Sequence, residues 1–104
     1  MAWLVLVLAG LLEAVWALAL DRSEGFTRLG PSLVFLVAMS LSMLGLGYAM
    51  RSLPVGTAYA VWVGIGATIT VVVGMVTGTE PVSALKVVFL AMIVGGVVGL
   101  RAVS

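Results

Sequence analysis

The chain has 104 residues, of which 63% are hydrophobic and 9% charged, and its mean hydropathy is +1.35. A soluble domain of this size has too much surface for its volume to hide so much apolar area, so the composition indicates a membrane protein. Without cysteine or histidine, and with a net charge of +1, the chain is expected to have no disulfide, no metal site and no attraction for nucleic acid.

Charged residues divide the sequence into four apolar runs, which cover residues 2–20, 29–50, 55–78 and 82–100. Each run has roughly the 17–25 residues that a helix needs to cross the hydrocarbon of a bilayer. Backbone polar groups must be satisfied within the segment there, so the runs are predicted to be helices. Pro31, Pro54 and Pro81 stand at or just before the start of a run, where proline is tolerated. The sequence therefore predicts one all-α, four-helix transmembrane domain over residues 1–104.

Charge in the connections gives almost no orientation signal. With four spans, Arg51 and Arg101 fall on one side of the membrane, and Arg22, Arg28 and Lys86 fall on the other. Orientation normally follows an excess of Lys and Arg on the cytoplasmic side, and two against three is hardly an excess. The count favours a chain that inserts in both orientations, although a single orientation set by a weak signal stays open.

Helix 1 carries a carboxylate, Glu13, near its middle. A charged side chain there costs roughly 2.5–3.5 kcal/mol on insertion scales, and such residues usually mark ion or proton pathways. The alternative is a structural glutamate paired with a buried cation, but no predicted span holds an interior Lys or Arg. Gly10 and Trp16 lie three residues to either side, about 60° around the helix, and form one stripe with Glu13: a gap, an anion and an aromatic face. Gly10 and Trp16 are therefore expected to line a pocket, in which Gly10 leaves room for a planar cation beside the helix.

Helices 2 and 3 add polar and aromatic candidates. Ser42 lies in the middle of helix 2, where serine often bonds only its own helix, so it matters only if helix 2 faces Glu13. Tyr59 and Trp62 are three residues apart in helix 3. Packing explains such aromatics equally well, but beside a carboxylate they suit an organic cation, through their π faces and polar tips.

Glycines are the remaining signal. Gly64 and Gly66 interrupt helix 3 just after its aromatic pair and predict either a flexible point or close helix packing. Gly95, Gly96 and Gly99 give helix 4 a GxxxG spacing, which is a common dimerisation face.

Nearly the whole chain resembles the small multidrug resistance transporters. The resemblance rests on length, on four spans and on the motifs AGLLEAVWA (9–17), GFTRL (25–29), GTAYAVW (56–62) and GIG (64–66).

The resemblance implies a transporter without a cofactor, not an enzyme, and a multi-pass protein of the prokaryotic inner membrane. It implies an antiparallel homodimer embedded in lipid, which exports a small organic cation in exchange for protons. Both copies of Glu13 would form the site, lined by Ser42, Tyr59 and Trp62, and helix 4 would form the dimer seam. The balanced charge count agrees with the antiparallel arrangement.

Within the family, the sequence looks like the guanidinium exporters. Trp16 resembles that branch, whereas exporters of polyaromatic cations tend to have a small residue there. Met39, residues 80–81 and residues 84–86 point the same way. Residues 21–22, Asp-Arg, depart from the Lys-led pair expected in the first loop.

Three other functions remain open on the sequence. One is a proton-coupled exporter of quaternary ammonium or polyaromatic cations. Another is a dual-topology ion channel, which would conduct far faster than a transporter turns over and without proton dependence. The third is a small subunit of a larger membrane complex, which would need no carboxylate at the membrane midplane and would not transport alone.

Overall fold

The structure, a computed structural model, describes residues 1–103. It contains four helices: α1 (Ala2–Arg22), α2 (Leu29–Ala49), α3 (Val55–Thr77) and α4 (Ala84–Val103). They have 20 to 23 residues each, which at 1.5 Å per residue matches a hydrocarbon core of about 30 Å. All four are long and apolar enough to cross a membrane, and residues 1–103 contain no strand. The prediction of an all-helical chain with four spans is therefore confirmed.

Local hydrogen bonding sets the ends of the last connection. α3 is closed by Gly78, whose φ of +83° is the left-handed conformation that glycine adopts most readily. α4 begins at Ala84 rather than at residue 82, where the apolar run starts. The reason is a cap: the hydroxyl of Ser83 accepts the backbone N–H of Lys86 at 3.1 Å.

α1 is the central helix, since it packs closely along α2 and also along α3. Small residues allow this approach. A Cβ added to Gly45 of α2 would lie 2.9 Å from the Cβ of Ala9, and one added to Gly10 would lie 2.7 Å from Cγ2 of Ile65 in α3. Close packing through small residues is the usual way in which membrane helices associate. The side chains in the middle of α1 are therefore held between two neighbouring helices.

α4 is the least packed helix. Its backbone lies close to that of α3 and of no other described helix, and none of its described residues is buried. Its contact with α3 is tightest where a Cβ on Gly64 would lie 2.6 Å from Cγ2 of Val97. The guanidinium of Arg101 also lies 5.0 Å from the ring centre of Trp3 in α1. Within the described chain, a Cβ on any of the three α4 glycines would meet open space: Gly95, Gly96 and Gly99.

Candidate functional site

The carboxylate of Glu13, on α1, lies against α3 with one of its oxygens buried and unpaired. Its Oε2 atom is buried and has no hydrogen-bond partner among residues 1–103. The one ion pair formed by these residues joins Nζ of Lys86 to Oε1 of Glu80 at 3.5 Å, at the connection between α3 and α4. A buried carboxylate without a partner is costly. Glu13 is thus an acceptor that a proton or a cation can satisfy.

Gly66 of α3 forms the surface against which Glu13 packs. A Cβ added to Gly66 would lie 2.9 Å from the Cβ of Glu13 and would overlap its carboxyl group. Real Cβ atoms do not approach so closely, so only glycine allows α3 to pass at this distance. The same holds one turn earlier along α1, where Ile65 fills the space beside Gly10. The missing side chain of Gly10 therefore serves helix packing within this chain.

A hydrogen-bonded connection crosses the bundle one turn before Glu13. Nε1 of Trp62 donates to the hydroxyl of Ser42 at 2.9 Å, and that hydroxyl donates to the carbonyl of Ala9 at 2.7 Å. Ser42 is fully buried and Trp62 nearly so. α2 thus faces α1, the helix that carries Glu13, which is the condition under which Ser42 matters for the site. The serine reaches the backbone of α1 there, not the carboxylate.

Tyr59 and Trp62 lie together on α3, as their spacing predicts. Their ring centres are 5.9 Å apart, with planes tilted by 40°. Trp62 points into the bundle and is 6% exposed, whereas Tyr59 is 54% exposed on the single chain. About half of the tyrosine is therefore accessible to a ligand or to another molecule.

Trp16, one turn after Glu13, is held by a residue that the sequence reasoning missed. Its ring meets that of Phe35 in α2 edge-on, with ring centres 5.8 Å apart. Its buried Nε1 finds no hydrogen-bond partner in the described part of the chain. The loop between α1 and α2 does contain a signal for this pair. Trp16 lies six residues before Arg22, where α1 ends, and Phe35 lies six after Leu29, where α2 begins, so an antiparallel hairpin brings them level.

α3 runs as one α-helix through both of its central glycines. Gly64 packs on Val97 and Gly66 packs on Glu13. These contacts favour close packing, one of the two interpretations of the glycine pair. Flexing of α3 at Gly64 and Gly66 stays a prediction.

Four helices long and apolar enough to cross a membrane, with a buried carboxylate oxygen of Glu13 and the buried Nε1 of Trp16 both unpaired among residues 1–103, define a small multi-pass membrane protein. The chain belongs to the Small Multidrug Resistance protein family, whose sequence model matches residues 1–93. The resemblance stated from the motifs is thereby confirmed. The family places the chain among the transporters, as a multi-pass protein of the bacterial inner membrane.

Curated relatives match over the whole or nearly the whole length of the chain. A guanidinium exporter of Yersinia pseudotuberculosis is 52% identical over all 104 residues of both chains. One from Proteus vulgaris is 49% identical, again over the whole of both chains. One from Escherichia coli (strain K12) is 50% identical over 101 residues, which cover 97% of this chain and 96% of the relative.

Proposed function

We propose that the protein is an antiporter that exports guanidinium and small substituted guanidinium cations in exchange for protons. The observation that carries this proposal is the buried Oε2 of Glu13, which has no partner among residues 1–103. Full-length relatives that are named guanidinium exporters support the choice of cation. A small planar cation with several N–H donors in one plane suits a carboxylate acceptor.

Exchange follows from the chemistry of one shared acceptor. A carboxylate that binds a cation must be ionised, and a carboxylate that binds a proton has lost its charge. Glu13 therefore holds either a proton or the cation. A conformational change that carries each of these two forms from one side of the membrane to the other couples the movement of the cation to that of protons. Around it, Trp16, Tyr59 and Trp62 offer aromatic faces, which attract organic cations, while Ser42 fixes Trp62 against α1.

The working unit is proposed to be an antiparallel homodimer in which both copies of Glu13 share the site. Two observations support a second copy. Helix α4 has no buried residue and leaves its glycine face open, and the connections have nearly balanced positive charge. An antiparallel pair is its own inverted repeat, so exchanging the conformations of the two chains exchanges the open side.

The dimer is tested by cross-linking and by topology mapping. A cysteine at Gly95 or Gly99 is expected to cross-link to the same position in a second chain, because that glycine face allows two helices to approach closely. The chain has no native cysteine, so a cysteine introduced after Arg101 provides a single labelling site. It is expected to be labelled from both sides of the membrane, because the two orientations place it on opposite sides. A cysteine on α2, at Leu44, serves as the control for random collision. Labelling from one side only would contradict the dual orientation.

The pH dependence of binding has a definite sign. Protons and guanidinium compete for Glu13, so the apparent affinity for guanidinium is expected to weaken as the pH falls. Binding at neutral pH is expected to release protons into a weakly buffered solution. The intrinsic fluorescence of Trp16 and Trp62 reports the titration, with Trp3 as background. An affinity that stays constant from acidic to alkaline pH would contradict the exchange mechanism.

The choice of substrate is tested at Trp16. Replacing Trp16 with glycine removes one aromatic wall and an N–H donor beside Glu13. Guanidinium transport is expected to fall by roughly tenfold, the factor that a lost aromatic contact of about 1.4 kcal/mol gives. Bulky aromatic cations are expected to lose less, because the vacated space admits them. A variant that loses both classes equally would place Trp16 outside the selective part of the site.

Purified protein in liposomes separates the rival functions. Uptake of guanidinium driven by a proton gradient, with saturating rates, supports the proposal. Transport of a bulky quaternary ammonium alone would move the protein to the other exporter branch. Conductance without proton dependence would indicate a channel, and no flux at all would indicate a subunit of a larger complex.

A further inference from the structure

Three aromatic rings form a continuous row from the first loop to the neighbourhood of Glu13. Phe26 in the loop meets Phe35 of α2 with ring centres 5.3 Å apart and planes at 67°. Phe35 in turn meets Trp16 at 5.8 Å and 82°. Both contacts are edge-on, the geometry that aromatic pairs prefer. We call Phe26, Phe35 and Trp16 the aromatic row.

The loop that supplies Phe26 has an unusual backbone. Glu24, Gly25 and Phe26 have φ values of +50°, +73° and +69°. A positive φ is uncommon outside glycine and is unfavourable for a bulky residue such as phenylalanine. Ser23, which is fully buried, holds this turn, because its hydroxyl accepts the N–H of Phe26 at 3.1 Å and donates to the carbonyl of Leu20 at 2.7 Å.

This conformation places the Phe26 ring where it is still 55% exposed yet touches Phe35. Residual strain in a backbone persists only where the surrounding structure determines it, and such positions cluster at functional sites. In the described chain, the same turn that has these positive φ values brings the Phe26 ring against Phe35.

At the other end of the row, Trp16 lacks any polar restraint. Its Nε1 is buried and finds no acceptor within residues 1–103. A ring without a hydrogen bond is positioned by packing alone, and Phe35 supplies its aromatic contact. Trp16 also packs against the buried core of the bundle, and Phe35 is its aromatic neighbour on the side of the first loop. Phe35, and through it Phe26, therefore contributes to the orientation of the indole one turn from Glu13.

We propose that Phe26 and Phe35 are positioning residues that fix Trp16 beside Glu13 and thereby set the preference for small over bulky cations. The effect on selectivity rests on the proposed function, whereas the effect on Trp16 itself does not. A shorter side chain at either position lets the indole turn away from Glu13 and widens the space beside the carboxylate.

The protein offers a matched control for this row. Phe89 of α4 has nearly the same exposure as Phe26, 57% against 55%. It makes no ring contact with any aromatic residue of the described chain. Phe89→Leu therefore removes the same atoms from the same type of residue without touching the row.

The first arm of the test observes Trp16 directly. In the full-length protein labelled with ¹⁵N, the three indole N–H resonances are assigned by single replacement of each tryptophan. Phe35→Leu and Phe26→Leu are each expected to shift the Trp16 resonance and to leave that of Trp3 in place, while Phe89→Leu shifts neither. An unchanged Trp16 resonance in Phe26→Leu, which replaces a side chain that is 55% exposed, overturns the proposal even if Phe35→Leu does not fold.

The second arm measures selectivity in liposomes, as the ratio of guanidinium uptake to uptake of a bulky aromatic quaternary ammonium. Phe35→Leu is expected to lower this ratio by roughly twofold to tenfold, the factor corresponding to an aromatic pair. It is expected to add no further loss in a Trp16→Ala background, because the residue through which it acts is then gone. A full, additive loss in that background overturns the positioning role. If the wild type moves no guanidinium, the proposed function fails while the resonance arm still decides the inference.

Discussion

Replacing Glu13 with glutamine is expected to abolish proton-coupled guanidinium transport in liposomes. Glutamine keeps the shape of the side chain but can neither ionise nor exchange a proton. A hydrogen bond to a charged group is worth about 1.5–3 kcal/mol, so guanidinium affinity is expected to fall by roughly tenfold to a hundredfold. The pH dependence of binding is expected to disappear completely, because the group for which protons and substrate compete is absent.

The same variant is expected to fold at least as well as the wild type. An unpaired carboxylate between membrane helices opposes folding, and a neutral amide of the same size opposes it less. Thermal unfolding in detergent measures this directly. Glu24→Gln is the matched control, since Glu24 is exposed in the loop between α1 and α2, and it is expected to leave transport, affinity and pH dependence unchanged. Proton-driven guanidinium uptake by Glu13→Gln at a rate near that of the wild type would refute the proposed role of Glu13.

The number and nature of the helices are predictable from the sequence because lipid permits few alternatives. A long apolar run must satisfy its own backbone, so it becomes a helix that spans the bilayer. The importance of Glu13 is predictable for a related reason, namely the cost of a carboxylate in hydrocarbon. Both inferences depend on the solvent and not on the details of packing.

How the helices are rotated about their axes could not be predicted. A soluble helix shows which face it buries by its apolar stripe, but these helices are apolar all round and show none. The sequence therefore left open whether Ser42 faces α1, and it did not reveal that its hydroxyl bonds the carbonyl of Ala9. It also gave no reason to place Ile65 in the space beside Gly10. Only the register of the loop between α1 and α2 offered a route to the contact of Trp16 with Phe35.

The contact between Gly66 and Glu13 was likewise hidden, and it leads to the second large expected effect. In Gly66→Ala the new methyl group would lie 2.9 Å from the Cβ of Glu13 and overlap its carboxyl group. Either α1 and α3 separate or the carboxylate turns aside. Overpacking of this kind costs about 1–3 kcal/mol. We expect a lower thermal unfolding temperature and a loss of guanidinium affinity of roughly tenfold.

Two further glycine-to-alanine variants distinguish the displacement of Glu13 in Gly66→Ala from the general effect of adding a methyl group to a helix. Gly47→Ala adds a methyl group to α2 where nothing lies within 4 Å. It is expected to be neutral or slightly stabilising, since alanine favours a helix by up to about 1 kcal/mol over glycine. Gly64→Ala meets Val97 of α4 at 2.6 Å, away from the carboxylate. It is expected to lower stability but to change affinity less than Gly66→Ala does.

Equilibrium binding and turnover, measured side by side, decide what Gly66 does. If the glycine is there to let Glu13 lie against α3, Gly66→Ala weakens guanidinium binding at equilibrium, because the displaced carboxylate no longer has its position between the helices. If the glycine is there to let α3 flex, binding stays intact and the maximal transport rate falls, since only the conformational exchange is hindered. The contacts of the described chain favour the first outcome. Wild-type affinity together with slow turnover in Gly66→Ala would show instead that α3 flexes at this residue.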